Sequence, residues 1–299
     1  MIDKNGVILY LYDAKLTNPN GDPDEENRPR MDYERDINLV SDLRLKRYIR
    51  DYLMDIGYPL YVQKIDGMPV TAESRLSELS EKDDLVKAAL DEFIDIRLFG
   101  ATIPVKKDNH SITGPVQFNW GYSLHPVKLL ESSITSHFAS GEKKIMGSIG
   151  KDYRVQYSLI AFSGVISAKR AEYTGLSSVD INLLDKAMVN AIPLLSTRSK
   201  IGQQPRLYLR IELKDKETML KDLRGYLEFR PKVENVRDIS EYSLEVSKLI
   251  NYLKDKKEKI SKIIYFIDED LNILNNGQDA NLKDLLMIFD AEKLCQDVK

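Results

Sequence analysis

Four cations between Ser41 and Met54 have the spacing of a phosphate-binding helix face. At about 100° per residue, one arc of this helix carries Arg44, Lys46, Arg47 and Arg50. The opposite arc carries Leu45, Tyr48, Ile49, Tyr52, Leu53 and Ile56. Ser41 suits the N-cap and Asp42 suits the positive end of the helix dipole, so the helix is predicted to begin there. The apolar arc would then pack on a core, and the cations would face outward together.

A stiff polar loop precedes this helix and adds positive charge to it. Arg28 and Arg30 flank Pro29, and two further prolines, Pro19 and Pro23, restrict the loop to a defined shape. The alternative is a merely solvated helix face, in which ion pairs four residues apart neutralise the cations. Two such pairs are available: Asp42 with Lys46, and Arg47 with Asp51.

A second polar loop, STRSKIGQQPR at 196–206, offers hydroxyls, amides and cations without any carboxylate. Its three cations are Arg198, Lys200 and Arg206, and Gly202 lets the backbone approach a ligand closely. Such donors are suited to phosphates and ribose hydroxyls. The alternative is a polar turn between a helix and a strand.

The segment 133–156 is predicted to form a protruding hairpin, because glycines 141, 147 and 150 interrupt two strand-like flanks. Ile145 and Met146 lie near its tip beside two lysines, where apolar side chains are unusual on a monomer. They would wedge between bases or contact a neighbouring copy. Alternatively, the hairpin folds back on its own surface.

Signals for catalysis are weak, and no metal or cofactor is predicted. His110, His125 and His137 lack the spacing of a metal site, and GSIGK at 147–151 is too short for a phosphate-binding loop. Asp22 lies in an acidic cluster that could cleave RNA with a bound metal. A role in shaping the loop is the favoured interpretation.

Composition indicates an ordinary globular protein with segregated charge. The chain has 299 residues, a net charge of −3 and a single cysteine, which excludes a disulfide framework. No apolar run reaches the roughly 20 residues of a membrane span, and no signal peptide is evident, so a cytoplasmic protein is expected. Acid is concentrated in 22–36 and 66–95, and base in 44–50 and 186–211. This pattern fits one polyanion-binding face.

The order of predicted elements is βαββαβ, which is typical of an α+β, ferredoxin-like or RRM-like core. The predicted strands cover 7–12, 116–122, 155–167 and 207–213. The helix at 41–54 follows the first strand, and a helix capped by Ser177 or Ser178 precedes the last one. On the second strand, Phe118, Trp120 and Tyr122 form a stripe that would pack in the core or stack bases.

Six regions follow from these elements. The halves of the core are 1–56 and 157–213, joined by a core strand at 116–132. An acidic, finger-like insertion with a helix near 83–96 occupies 57–115. The protruding hairpin, here called the thumb hairpin, occupies 133–156. A helical extension with one strand near 263–267 is predicted for 214–299.

Several separate motifs carry a family resemblance. They are NPNGDP (18–23), RPR (28–30), VSDLRLKRYIRDYL (40–53), RLFGATIP (97–104), GPVQFNWGYSLHPV (114–127) and RSKIGQQPRLYLRI (198–211). Together they resemble the crRNA-backbone subunit of type I CRISPR Cascade complexes, a member of the RAMP superfamily, and are most similar to its type I-B branch. The resemblance spans about the first two-thirds of the chain and ends near Glu212.

The resemblance implies a non-catalytic subunit that oligomerises along a guide RNA and leaves the bases free to pair with target DNA. Expected partners are crRNA, target DNA through the guide, other copies of the chain and other Cascade subunits, but no membrane. The RNA-binding residues it implies are Asn20, Arg28, Arg30, Ser41, Lys46, Arg47, Arg50, Arg198, Ser199, Lys200 and Gln203. Ile145 and Met146 would be the thumb wedge. The alternatives are a RAMP endoribonuclease acting on CRISPR or target RNA, and an interaction module without nucleic acid.

Overall fold

A computed structural model of the chain describes residues 1–65, 67–79, 84–105, 108–139, 147–195 and 197–296. The α-helices are α1 (Asp42–Asp55), α2 (Ala72–Leu76), α3 (Leu85–Glu92), α4 (Ile94–Phe99), α5 (Ala168–Thr174), α6 (Ser178–Leu194), α7 (Ser247–Asp255) and α8 (Leu282–Leu286). The strands of the first half are β1 (Gly6–Thr17), β2 (Gly21–Asp22), β3 (Arg28–Pro29), β4 (Met31–Asp32), β5 (Ile37–Val40), β6 (Gly100–Val105), β7 (Asp108–Thr113), β8 (Val116–Phe118), β9 (Gly121–Ser123) and β10 (Leu129–Ala139). Those of the second half are β11 (Gly147–Ile166), β12 (Gln203–Leu213), β13 (Glu228–Pro231), β14 (Tyr242–Glu245), β15 (Ile260–Ile267), β16 (Ile273–Asn275), β17 (Gln278–Asp279) and β18 (Ala291–Lys293).

A large sheet with β1 at its centre organises the chain. β1 pairs antiparallel with β11 on one side and with β12 on the other. The strand order is β18-β15-β12-β1-β11-β9-β5-β4, and β8 and β10 also pair with β11. The run of apolar residues in β1 is continuous, as expected for a strand with both faces covered.

The two faces of the sheet pack against different layers. Ile8, Tyr10 and Tyr12 point toward α1 and α6 and share one core with them. Val7, Leu9 and Leu11 point the other way and share a second core with the segment after residue 213. Because successive side chains of a strand alternate between faces, the single strand β1 anchors both cores.

The helix starts predicted from the sequence are confirmed. Ser41 is the N-cap of α1, and its Oγ accepts a hydrogen bond from the backbone N of Arg44 at 3.2 Å. Ser177 is the N-cap of α6 and forms a capping box with Asp180. The residues predicted for the buried arc of α1 are buried, except Ile56, which is 43% exposed.

The predicted aromatic strand at 116–122 is divided into β8 and β9. Phe118 is buried in the helix-side core, whereas Trp120, at the break, is 44% exposed. Tyr122 lies under the guanidinium of Arg224, 4.4 Å from the ring centroid. Of this stripe only Phe118 belongs to the core, and no continuous aromatic platform for stacked bases forms.

The insertion at 57–115 has a small core of its own, formed by Tyr61, Leu76, Ala89, Phe93, Ile96 and Ile103. The single helix predicted near 83–96 is instead the pair α3 and α4, because Phe93 adopts an extended conformation between them. The break allows buried Asp95 to accept backbone hydrogen bonds from Tyr61 at 2.8 Å and Val62 at 3.1 Å.

Helical character was predicted for 214–299, and this prediction is wrong for the described residues up to 296. They include six strands, β13–β18, and only two α-helices, α7 and α8. The strand expected at 263–267 is present as part of β15. Strands of two to four residues contain too few alternations to be recognised from sequence.

β10 and β11 pair antiparallel from Leu129 with Val155 to Ala139 with Gly147, in the region of the predicted thumb hairpin. Its expected wedge residues, Ile145 and Met146, lie outside the described residues. Among the described helices, none combines the length and apolar character required to cross a bilayer.

Candidate nucleic-acid interface

Three segments meet at the N-terminus of α1. Asn20 Oδ1 accepts hydrogen bonds from the backbone N of Ser41 at 2.8 Å and from its Oγ at 2.9 Å. The backbone N of Asn18 donates to the carbonyl oxygen of Ser199 at 3.0 Å. The loop at 18–20, the first turn of α1 and the loop at 197–203 are therefore one local structure, here called the α1 junction.

Lys200 closes this junction. Its Nζ donates to the carbonyl oxygen of Asn18 and, at 3.1 Å, to that of Pro19. Burial, and secondarily the charge of Arg44, lowers the pKa of Lys200 to about 7. A lysine held by neutral carbonyls near another cation is poised to accept an anion, because a phosphate would favour its charged form.

Gln203 and Tyr48 form the floor of the junction. The Tyr48 hydroxyl donates to Gln203 Oε1 at 2.9 Å, and burial raises the pKa of Tyr48, which keeps this phenol protonated at neutral pH. The guanidinium of Arg44 lies 4.2 Å from the centroid of the Tyr48 ring. Arg44 is thereby held beside the first turn of α1, where the helix dipole also favours negative charge.

Four buried side-chain atoms in or next to this junction have no hydrogen-bond partner within the part of the chain that the structure describes. They are Thr17 Oγ1, Asn18 Oδ1, Arg44 Nε and Gln203 Nε2. An unsatisfied buried polar group costs about 1–3 kcal/mol, so several in one place call for an explanation. Water or a ligand that supplies the missing partners is such an explanation.

The substitution Thr17→Val tests whether the Thr17 hydroxyl is unsatisfied in the free protein. Thr17 is fully buried and valine has nearly the same shape, so removal of the hydroxyl should raise the free energy of unfolding by about 1 kcal/mol. Urea denaturation followed by circular dichroism measures the change. In the control Thr71→Val, the lost hydroxyl caps α2, and a decrease of about 1 kcal/mol is expected. A similar decrease for Thr17→Val would mean that this hydroxyl already has a partner.

Lys46 and Arg50 lie on the other flank of α1, contrary to the prediction that they face outward. Lys46 is only 7% exposed, and its Nζ donates to Asp42 Oδ2 and to Gln117 Oε1, both at 3.1 Å. Arg50 Nε donates to Asp95 Oδ2 at 2.8 Å. Gln117 of β8 and Asp95 of the insertion draw these two cations inward, and Asp42 of α1 itself pairs with Lys46.

Arg44 lies on a different side of α1 from Lys46 and Arg50. Lys46 is two residues from Arg44, and therefore about 200° away from it around α1. Arg44 lies near enough to Lys200 for its charge to lower the pKa of that lysine, whereas Lys46 and Arg50 lie 5.6 and 5.1 Å from the centroid of the Phe99 ring. The predicted RNA-binding residues thus do not form one face, and the roles of Lys46 and Arg50 in RNA binding stay predictions.

The other predicted cations lie in ion pairs nearer the surface. Arg47 pairs with Asp51 on the same helix, and Arg30 pairs with Asp22, each at 2.7 Å. The guanidinium of Arg28 lies 4.5 Å above the Tyr153 ring, near the base of the β10–β11 hairpin. The Arg198 side chain is 65% exposed and pairs with Asp152 at 3.2 Å. Such exposed pairs are weak and can exchange their carboxylate for a phosphate.

The metal-dependent alternative depends on how the acidic and histidine side chains of the described residues are arranged. No group of three or more His, Cys, Asp or Glu side chains among them is arranged to hold a metal ion. Asp22 accepts hydrogen bonds from Arg30 Nη1 at 2.7 Å and from the backbone N of Asp24, which matches a role in shaping the loop. Burial lowers the pKa of His125 to about 4, and its Nδ1 contacts the Pro126 carbonyl at 2.8 Å.

Sequence reasoning did not assign Thr17, Asn18, Arg44 and Tyr48 to the site. Arg44 was on the predicted cationic arc, and its spacing of four residues from Tyr48 is the signal that could have selected it. Thr17 and Asn18 adjoin or open the NPNGDP motif, but their orphaned atoms are evident only once the partners around them are known.

The fold is similar to that of protein chains in two solved CRISPR complexes. The first is titled "CRISPR RNA-guided surveillance complex, pre-nicking", with a TM-score of 0.52, 12% identity and coverage of 97% of this chain and 96% of the other. The second, "CRISPR RNA-guided surveillance complex", has a TM-score of 0.50, 14% identity and coverage of 96% and 94%. The chain is thus an α+β protein with the fold of these CRISPR-complex subunits.

The family follows from sequence. Residues 4–247 match the family model described as CRISPR-associated protein Cas7. The chain is also 32% identical over 287 residues to the CRISPR-associated protein Cas7 of Haloferax volcanii, covering 86% of this chain and 84% of the relative. This chain belongs to the Cas7 family, which confirms the predicted resemblance at family level. Its assignment to the type I-B branch stays a prediction.

Proposed function

We propose that this chain is a non-catalytic structural subunit of a type I Cascade complex in the cytoplasm. Several copies line up along one crRNA, hold its sugar-phosphate backbone and leave the bases free to pair with target DNA. Other Cascade subunits complete the assembly. The observation that carries the proposal is the α1 junction, where unsatisfied donors and Lys200 surround a helix N-terminus.

The ligand chemistry of the junction matches a phosphodiester. Arg44 and Lys200 supply positive charge, Gln203 Nε2 and Arg44 Nε lack acceptors, and the N-terminus of α1 favours an anion. Contacts of this kind fix the position of a strand without reading its sequence, which is the requirement for holding guides of any sequence.

The arrangement of the core supports placing the strand at the α1 junction rather than on the sheet. We assign a ferredoxin-like core, in which β12, β1, β11 and the β8–β9 pair take the order 4-1-3-2 and α1 and α6 cover one face. RRM proteins stack bases on the open sheet face. Here the segment after residue 213 covers that face, so the strand runs along the loops and the helix N-terminus.

The salt dependence of RNA binding tests the proposal. Arg44→Ala and Lys200→Ala should each weaken binding to single-stranded RNA of any sequence. Each should also reduce the slope of log K against log salt concentration by about 0.7, the value for one lost phosphate contact on a single strand. Fluorescence anisotropy from 50 to 400 mM salt measures both quantities. Lys46→Ala is the matched control. The prediction from sequence that Lys46 binds RNA requires a smaller slope, whereas the buried ion pair of Lys46 leads us to expect an unchanged slope.

Two results would contradict the proposal in different ways. If Lys46→Ala lowers the slope and Lys200→Ala does not, the RNA runs along the opposite flank of α1. If the wild-type chain binds no RNA, alone or with its co-expressed partners, the chain is not a guide-binding subunit. Site-specific cleavage of RNA with divalent metal, abolished by Asp22→Ala, would instead favour the endoribonuclease alternative.

A further inference from the structure

The unsatisfied atoms of the α1 junction include an acceptor as well as donors. Asn18 is 3% exposed, and its Nδ2 donates to the carbonyl oxygen of Asn27 at 2.6 Å. Since only the amide nitrogen can face a carbonyl, the orientation of this amide is fixed. Asn18 Oδ1 is therefore an acceptor without a donor. The hydroxyl of the preceding residue, Thr17, is also unsatisfied and can serve as donor or acceptor.

A phosphodiester does not satisfy this set. Its oxygens are acceptors only, so they match Arg44 Nε, Gln203 Nε2 and Lys200 but leave Asn18 Oδ1 without a donor. Deoxyribose in the strand adds no donor either. The 2′-hydroxyl of ribose is both a donor and an acceptor, and it is the group by which proteins distinguish RNA from DNA.

Resting on the proposed function, we propose that Asn18 accepts a hydrogen bond from a ribose 2′-hydroxyl of the bound strand and is the residue by which this site selects RNA over DNA. Two features of the junction act together in this recognition. The donors bind the phosphate whatever the sugar, and the buried Asn18 Oδ1 adds binding free energy only when the sugar carries a hydroxyl.

Lys200 links the binding of the phosphate to the binding of the ribose hydroxyl. In the free protein its Nζ binds the carbonyl oxygens of Asn18 and Pro19, and so holds the backbone of the residue that carries the buried Oδ1. A phosphate draws Lys200 away from these carbonyls, which frees residues 18 and 19 to move and lets the ribose reach the amide. Gly202, with φ of +100°, keeps the Lys200 loop against β1, where an added Cβ would lie 2.8 Å from the Lys15 carbonyl oxygen.

Three oligonucleotides of one sequence, short enough to bind one copy of the chain, test the assignment. They are RNA, DNA and fully 2′-fluoro RNA, which keeps an RNA-like sugar conformation but cannot donate from the 2′ position. Affinities are measured by fluorescence anisotropy. The wild-type protein should bind RNA about threefold to tenfold more tightly than 2′-fluoro RNA, the effect of one hydrogen bond. In Asn18→Ala the ratio of the two affinities should fall to about one, because the 2′-hydroxyl loses its acceptor, while the lost Nδ2 hydrogen bond to Asn27 affects both ligands equally.

Asn20→Ala is the matched control. The Oδ1 of Asn20 is already used by Ser41, so its loss should weaken binding to RNA and to 2′-fluoro RNA by the same factor. The comparison of RNA with 2′-fluoro RNA on the wild-type protein does not depend on whether any variant folds. If wild-type protein binds 2′-fluoro RNA as tightly as RNA, the ribose assignment is overturned while the proposed function stands. If it binds neither, the proposed function itself fails.

Discussion

Replacement of Asp185 by alanine is expected to lower the free energy of unfolding by about 3–5 kcal/mol, the cost of leaving a buried partner charge uncompensated. Asp185 Oδ1 accepts from the Tyr208 hydroxyl at 2.6 Å and from Arg210 Nε at 2.8 Å, and its Oδ2 accepts from Arg210 Nη2 at 2.7 Å. Asp185 and Arg210 are only 2% and 6% exposed. This buried ion pair connects α6 to β12.

Urea denaturation followed by circular dichroism measures this effect. Glu228→Ala is the control, since Glu228 pairs with Arg230 on the surface, and a change below about 1 kcal/mol is expected. The double variant Asp185→Leu, Arg210→Met should recover part of the lost stability, because an apolar pair leaves no buried charge, although the Tyr208 hydroxyl then lacks its acceptor. Equal effects of Asp185→Ala and Glu228→Ala would mean that water reaches Arg210 in the folded protein.

RNA affinity is expected to fall about tenfold between pH 6 and pH 8. In the free protein the pKa of Lys200 is lowered to about 7, so Lys200 is mostly charged at pH 6 and mostly neutral at pH 8. A bound phosphate favours the charged form and raises this pKa toward the ordinary value of about 10.4. Binding therefore takes up a proton at pH 8 but almost none at pH 6, and the affinity decreases as pH rises. Fluorescence anisotropy at constant ionic strength measures the profile.

Two variants isolate the contribution of Lys200. Lys200→Arg keeps the charge at all these pH values, because arginine does not deprotonate in proteins, and its RNA affinity should be nearly independent of pH. Lys200→Met should also show a flat profile, at an affinity below that of wild type at pH 8, because wild-type Lys200 still takes up a proton on binding at that pH. A wild-type slope retained in both variants would assign the proton uptake to another group and remove Lys200 from the phosphate contact.

Local sequence patterns were sufficient for the elements that carry the site. Helical periodicity and the capping residues Ser41 and Ser177 located α1 and α6, because both signals depend only on neighbours within one or two turns. Alternation and apolar runs located β1, β11 and β12. The motifs around these elements also indicated the Cas7 family, which the comparisons confirm.

The sequence by itself determined the direction in which each side chain points around its own helix or strand. The tertiary structure decided which residues of other segments each side chain meets. Lys46 and Arg50 were on a polar arc, but Gln117 and Asp95, from distant segments, turned that flank into a buried contact. Lys200 meets Asn18 across 182 positions. Such contacts, and the unsatisfied atoms beside them, arise only when separate segments pack together, because hydrogen-bond partners are set by distance in space rather than by position along the chain.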